Sequence, residues 1–533
     1  MQLVRSESTL FHRCDVCGGH SAAVRGSLLH IYAFTAHITG IVTTVSIAFT
    51  SIFRRSCMRH SGTSQLVTMT HAGGTVVGIA ALGGRDAGYN ALELLDESRE
   101  AARCGVGAAA RALAERGCTD IKVDGCGAPD AAAEAAVLAT WRFQEFKACA
   151  NRSPEPKLGL LPEDGAAECP EGGEGGSSGG GGAAGGAGGL WKRGATLATA
   201  QNWARWLSDM PANRMTPVDF AQEALNVLCP LGVRVEAHDR SWVSAQNMQA
   251  FLAVARGSCE TPIFLEAFYD GAGENAPCIL LAAKGITFDS GGLCLKPAEQ
   301  MRDNRGSMAG AAVAVAALRA LAELKVPVTV RLVIPLCENM VSGQCMKVGD
   351  VLPALNGLTI KVENTDMEGR VALADALVYG QAVHRPALVV DVATLTRGIL
   401  LATGGGAFGC FSNSESAWAA VKAAAARSGD RAWRFPLWQY YGPAIADDLS
   451  VDLRNKGSGR ATPCLGAAFL KNFVCGDWVH MDITGVGKLG HAPAPPYLDA
   501  RRMTGRPTRT LALFLEAVAA GAKVTLHSPT LHT

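Results

Sequence analysis

Beyond Pro277 the chain alternates short apolar runs with longer alanine-rich stretches, and this alternation restricts its architecture more than any other feature. Cys278–Lys284, Val328–Pro335 and Ala387–Leu395 are runs of strand length, apolar at nearly every position. A strand that is apolar on both faces must be covered on both, which a parallel sheet with flanking helices achieves. Gly310–Leu324 and Arg370–Gln381 read as such helices, and Trp478–Ile483 as a further strand. The expected class is α/β, with a mostly parallel central sheet and helices on both faces. In such sheets chemistry collects beyond the carboxyl ends of the strands, so polar residues there are the ones to read for function.

A second, smaller α/β unit precedes this one. Thr75–Leu82 and Ile121–Asp124 read as strands, Asn90–Arg116 and Asp130–Lys147 as helices. A further helix is expected over Ala195–Met210, and Thr216-Pro217-Val218-Asp219 carries the N-cap threonine, first-turn proline and acid of another, which Pro230 ends. Between the two units, Glu171–Gly189 contains only Gly, Ala, Ser and Glu, with twelve glycines in nineteen residues. Such a tract cannot bury enough surface to offset its ordering entropy and reads as a flexible insert. The expected division is a leader or targeting segment 1–72, an N-terminal α/β domain 73–210 carrying the insert 171–189, a C-terminal domain 211–522, and a tail 523–533.

The leader is compositionally distinct. Arg5, Arg13, Arg25, Arg54, Arg55 and Arg59 face only Glu7 and Asp15, and residues 27–53 contain no charged side chain. Three readings fit: a poorly structured leader, an organelle transit peptide, which would be mitochondrial, and a signal anchor that puts residues 27–53 into a membrane. The seventeen cysteines are scattered, mostly through apolar stretches, and read as free thiols in a reducing compartment; Cys14 and Cys17 form a lone CxxC. With 49 Lys+Arg against 48 Asp+Glu the net charge is +1, which argues against a nucleic-acid partner.

Three segments at expected strand ends hold the candidate chemistry: Lys284-Gly-Ile-Thr-Phe-Asp289-Ser-Gly-Gly292 with Lys296, Asn364-Thr-Asp366-Met-Glu368-Gly-Arg370, and Ala393-Thr394-Leu-Thr396-Arg397. Taken singly, each charge is an ordinary loop charge or helix-cap acid. Taken together, Asp366 and Glu368 lie two apart, so in an extended segment both leave the same face. With Asp289 from a second strand end, they could hold two neighbouring divalent ions.

These segments resemble the leucyl aminopeptidase family. Lys284–Gly292 matches one family segment unaltered, and Asn364–Arg370 matches its Asn-Thr-Asp-Ala-Glu-Gly-Arg signature. Further similarity runs through Cys337–Met340, Ala393–Thr396 and Met503–Arg509, so that it covers roughly residues 75–520. The resemblance implies a cytoplasmic homohexamer that removes N-terminal residues from peptide substrates with two divalent ions, Mn or Zn. It further implies Lys284, Asp289, Asp366 and Glu368 as ligands, with Asp289 and Glu368 bridging. By the same resemblance Lys296 stabilises the oxyanion, and Arg370 holds a bicarbonate that acts as general base.

The departures are equally specific. Within the resemblance, the fifth ligand, an aspartate, falls on Ser307, which leaves one ion site short of a carboxylate unless Asp303 reaches in from a helical turn. In the substrate pocket, which includes Thr394, Arg397 replaces a glycine, Asn304 an apolar residue, and Thr484 and Gly487 replace Ala and Met. Two functions compete: a working aminopeptidase with altered specificity, drawing acidic N-terminal residues to Arg397, and a catalytically impaired paralogue that keeps the hexamer. A third, a nucleotide-binding oxidoreductase, rests only on the G-x-G-x-x-G pattern at Gly404–Gly409, which reads more simply as a tight turn. His480, in an apolar strand, reads as a satisfied core histidine.

Overall fold

A computed structural model describes residues 31–37, 68–72, 75–82, 87–161, 186–274, 276–487 and 494–521. The larger sheet has nine strands. From one edge they run Ala432–Arg434, Phe408–Ser412, Trp478–Asp482, Leu388–Ala393, Cys278–Ala283, Thr329–Asn339, Ile263–Asp270 and Arg234–His238, and Gly285–Asp289 pairs with the far end of Thr329–Asn339. Pairing is parallel through the middle, where Leu281 lies between Leu332 and Val390, and antiparallel where Ile263–Asp270 and Phe408–Ser412 join. Helix Ala309–Glu323 packs its buried alanines and valines into the core on one face, and helix Glu368–His384 packs into the core on the other. The expected α/β architecture is therefore the observed one. The antiparallel strands between Pro230 and Pro277 have no counterpart in the sequence reading.

The smaller sheet runs Thr68–Ala72, Thr75–Ala81, Ile31–His37, Asp120–Val123, Lys157–Leu160. Two of these strands, Ile31–His37 and Thr68–Ala72, fall inside residues 1–72, and Ile31–His37 pairs antiparallel with Thr75–Ala81. An apolar strand in a protein sheet needs no charges, so composition alone does not distinguish it from a membrane segment. The rest of the leader, the CxxC, residues 171–185 of the insert and the tail lie outside the described residues.

Helix bounds shift for local reasons. The first long helix begins at Glu97 rather than near Asn90, because Asp96 caps it by accepting from the Arg99 amide at 3.1 Å. The next spans Pro129–Thr140 and stops before Trp141, whose backbone is extended. The connecting helix starts at Ala187, earlier than Ala195, and takes in the last glycines of the insert.

That connecting helix packs against both Pro129–Thr140 and Ala309–Glu323, and so joins the two domains. A buried ion network crosses the same seam. Glu134 accepts from Arg103 Nε at 2.7 Å and from Arg509 Nη1, and both guanidinium groups are fully buried. Removing the carboxylate would take from buried Arg509 its ion-pair partner and leave Arg103 with Glu100 alone, and breaking a buried pair typically costs about 3–5 kcal/mol. Glu134→Ala is expected to lower stability by that order in chemical denaturation, and a loss below about 1 kcal/mol would mean the seam does not depend on this network.

Candidate active site

Five strands end side by side, and each delivers a polar residue at or just past its carboxyl end. Lys284 follows Cys278–Ala283, Asp289 closes Gly285–Asp289, and Asn339 closes Thr329–Asn339. Thr394 follows Leu388–Ala393, and Asp482 closes Trp478–Asp482. Asp366 and Glu368 enter from the segment leading into helix Glu368–His384.

Ligand atoms of Asp289, Asp366 and Glu368 all lie within 4.8 Å of one another. The grouping of these three is as expected, but its cause is different. Residues 364–367 are a turn and Glu368 is already helical, so the two acids meet because the chain bends, not because an extended segment projects them from one face. Lys296 Nζ lies 3.0 Å from Asp289 and also pairs with Asp366. Lys284 Nζ lies 2.7 Å from Glu368 Oε1 and donates to the Thr394 carbonyl at 2.9 Å. Gly369 leaves room for that lysine: a Cβ there would stand 2.8 Å from its Cδ.

Electrostatics express the crowding. Burial, then Asp289, pushes the Glu368 carboxyl up to about 7, and burial followed by Asp289 also raises Asp366. Burial works against the Lys296 cation, yet the surrounding carboxylates hold its pKa above the ordinary lysine value. Glu368 Oε2 is buried with no hydrogen-bond partner, and Oε1 has only the Lys284 ammonium beside it. Converging carboxylates with a buried, unpartnered oxygen suit hard or borderline divalent cations, so these residues fit such a group.

The cluster is held by residues to which the sequence reading gave no role. Asn339 donates to Asp289 Oδ1 at 2.9 Å and to the Thr365 carbonyl at 3.1 Å. Thr365 Oγ1 donates to the Gly291 carbonyl at 2.6 Å and accepts from the Cys294 amide, pinning the loop that carries Lys296. Their signal was position: Asn339 follows the apolar run Leu332–Cys337 at the carboxyl end of its strand. Asn455, far away in sequence, had no such signal. It orders residues 363–364 through its side chain and accepts Arg370 Nη1 on its carbonyl at 2.8 Å. Arg370 is buried with Nε unpartnered, and burial lowers its pKa to about 10 against the pull of Glu368 and Asp482. That is a cation prepared for an anion.

Ser307 is buried at the end of the turn Arg302–Met308, with its carbonyl accepting from Thr394 Oγ1 at 2.9 Å. Asp303, named as a possible substitute ligand, lies 3.3 Å from Arg305 on its own turn, and the group formed by Asp289, Asp366 and Glu368 does not include it. Of the residues expected to line the pocket, Thr394 donates to the Ser307 carbonyl and Asn304 shares Ser307's turn. Asp482 accepts from the Leu395 amide, Thr396 Oγ1 and Thr484 Oγ1, and so binds Thr484 to the Thr394–Thr396 loop. Gly487 is buried and its carbonyl accepts from the Thr504 amide. Arg397 opens helix Arg397–Thr403 with its side chain exposed.

Gly404 ends that helix in left-handed conformation and Gly409 lies in the strand that follows. This is helix–turn–strand, the reverse of the order a dinucleotide fingerprint needs. His480 is a buried core residue, its Nδ1 2.6 Å from Asp391, which also accepts from Trp478 Nε1.

A family model described as the cytosol aminopeptidase family catalytic domain matches residues 202–512, and that family's N-terminal domain matches 63–149. Cytosol aminopeptidase of Xenopus tropicalis is 38% identical over 459 residues, 85% of this chain and 83% of that protein. The Homo sapiens protein of that name is 39% identical over 442 residues, 82% and 80% of the two chains. Among solved structures, the bottromycin maturation enzyme BotP in complex with Mn superposes with a TM-score of 0.73 at 29% identity, covering 85% of this chain and 93% of that one.

The Asp391–His480 pair generates a pH prediction. Burial disfavours the imidazolium, but Asp391 outweighs it and lifts the pKa above 6.5. The folded value exceeds the unfolded one, so the contribution is complete below about pH 6.5 and is lost as pH rises through the folded value. Asp391→Asn is expected to destabilise most in mildly acidic buffer, with the gap to wild type narrowing as pH rises; denaturation midpoints across pH measure it, and a constant gap would contradict the assignment.

Proposed function

This chain belongs to the cytosol aminopeptidase family, and from that premise we propose that it is a cytoplasmic, metal-dependent exopeptidase that removes N-terminal residues from peptides. The single observation that carries the reading is the buried group Asp289, Asp366 and Glu368, flanked by Lys284 and Lys296. Lys284, Asp289, Asp366 and Glu368 would hold two divalent ions, Mn or Zn. Ions bound there supply Lewis acidity toward a peptide carbonyl and a more acidic water.

The chain's own groups do the rest. Lys284, beside Glu368, would hold such an ion only as the neutral amine. Lys296, held as a cation among carboxylates, donates to the oxyanion that develops on the carbonyl. Arg370 presents its unpartnered Nε to a small anion, which bicarbonate can be, and thereby places a general base. Asp482 fixes the pocket loop so that Thr394, Thr484, Gly487, Asn304 and Arg397 line the approach for the first side chain. Arg397 favours acidic N-terminal residues. A homohexamer is the assembly proposed, and the Arg-rich leader leaves mitochondrial delivery as the alternative to the cytoplasm.

One observation favours a second reading. Ser307 stands where the fifth carboxylate belongs, and a hydroxyl is a weak ligand for Zn or Mn. In that reading the chain keeps its assembly and one ion, with catalysis impaired.

Metal content per chain and turnover on aminoacyl substrates separate the two. Two ions and turnover support the enzyme; one ion or none, with no turnover, supports the impaired paralogue. Ser307→Asp is expected to raise divalent occupancy and, where catalysis is impaired, to raise kcat at least tenfold, about 1.4 kcal/mol of barrier. Arg397→Gly is expected to cut the ratio of kcat/KM for acidic over leucyl substrates by about tenfold; an unchanged ratio would remove Arg397 from the pocket.

A further inference from the structure

A cavity of about 360 Å³ opens on the domain seam, away from the carboxylate group, where the end of the N-terminal domain, the connecting helix and the loop before Met503 converge. Its lining holds Arg142, Lys147, Arg205, Arg501 and Arg502 against one carboxylate, Asp499. In a chain whose net charge is +1, this is a strong local excess. Asp499 is already engaged, 3.0 Å from Arg501 Nε.

Arg205 makes the excess informative. Its side chain is fully buried, with Nη1 donating to the Leu138 carbonyl at 3.0 Å and to Asn202 Oδ1 at 2.8 Å. Both acceptors are neutral, Nε has no partner, and among the described residues no carboxylate forms an ion pair with it. Its guanidinium lies 4.2 Å over Trp141, which orients the plane without neutralising the charge. Arg502 is placed in the same way over Phe143, at 5.3 Å. Burial lowers the Arg205 pKa to about 9, against the pull of Asp209 and, more weakly, Asp499, with Arg111 adding to the fall. A buried cation is ordinarily paired, because the cost of removing it from water must be offset. Here both nearby acids are committed to other arginines, Asp209 to Arg305 and Asp499 to Arg501, and Arg205 keeps stacking and fixed orientation without an ion pair of its own.

We propose that this cavity binds a small phosphate-bearing anion with two or more negative charges, seated on Arg205 and clasped by Arg142, Lys147 and Arg502. Guanidinium groups match phosphate oxygens in forked pairs, which favours phosphate over a single carboxylate. The volume is at the lower end for small-molecule sites, roughly 300–1,000 Å³, and suits a compact ligand rather than a polymer strand. The ligand would touch all three segments at the seam and so brace the two domains against each other.

The test is calorimetric titration of the full-length, metal-loaded protein with pyrophosphate at constant ionic strength, with citrate and a short single-stranded oligonucleotide as parallel arms. Saturable binding of one pyrophosphate per chain is expected, accompanied by a higher thermal midpoint. The double variant Arg142→Ala/Lys147→Ala, altered only at partly exposed positions, is expected to bind at least about tenfold more weakly. Its peptidase activity and its midpoint without ligand should match wild type. Absence of saturable binding would overturn the proposal. So would equal binding by the double variant, which would place the anion at the metal centre. Tighter binding of citrate, or of the oligonucleotide, would overturn the ligand class.

Discussion

Three carboxylates held within 4.8 Å of one another are the constraint on which this structure turns. Left to themselves, such groups repel, and burial raises the cost further. The fold keeps them together by ending its parallel strands in one row and bringing two lysine side chains among the acids. Everything nearby serves that arrangement. Asn339 and Thr365 hold the carboxylates and their loops by hydrogen bonds, and Gly369 clears space for Lys284. Burial and mutual repulsion raise the pKa of Glu368 and Asp366, while the same carboxylates keep Lys296 charged.

The same logic of charge and burial explains the domain seam, where two solutions stand close together. Glu134 receives two buried guanidinium groups and balances them from within the chain. Arg205 has no such partner and opens on a cavity rich in cations.

The strand–helix alternation was legible in the sequence because burial on both faces leaves an unmistakable apolar run. The core strands ending at Ala283, Ala393 and Asp482 were read to within a residue or two. The antiparallel strands Arg234–His238 and Ile263–Asp270 were not, since such segments are specified by the partner they lie against as much as by their own pattern. Ile31–His37 was not read as a strand for a related reason: an uncharged apolar stretch suits a sheet as well as a membrane.

By itself the sequence determined the fold class, the family and the residues that could bind a cation, because hydrophobic period and ligand chemistry are properties of short segments. Only the tertiary structure decided which of those charges meet. It set Asp303 beside Arg305 on its own turn, bent the chain so that Asp366 and Glu368 converge, and buried Arg205 with no carboxylate in ion-pair contact among the described residues. Coulomb energy depends on separation and on the surrounding dielectric, and neither exists until segments hundreds of residues apart have packed together.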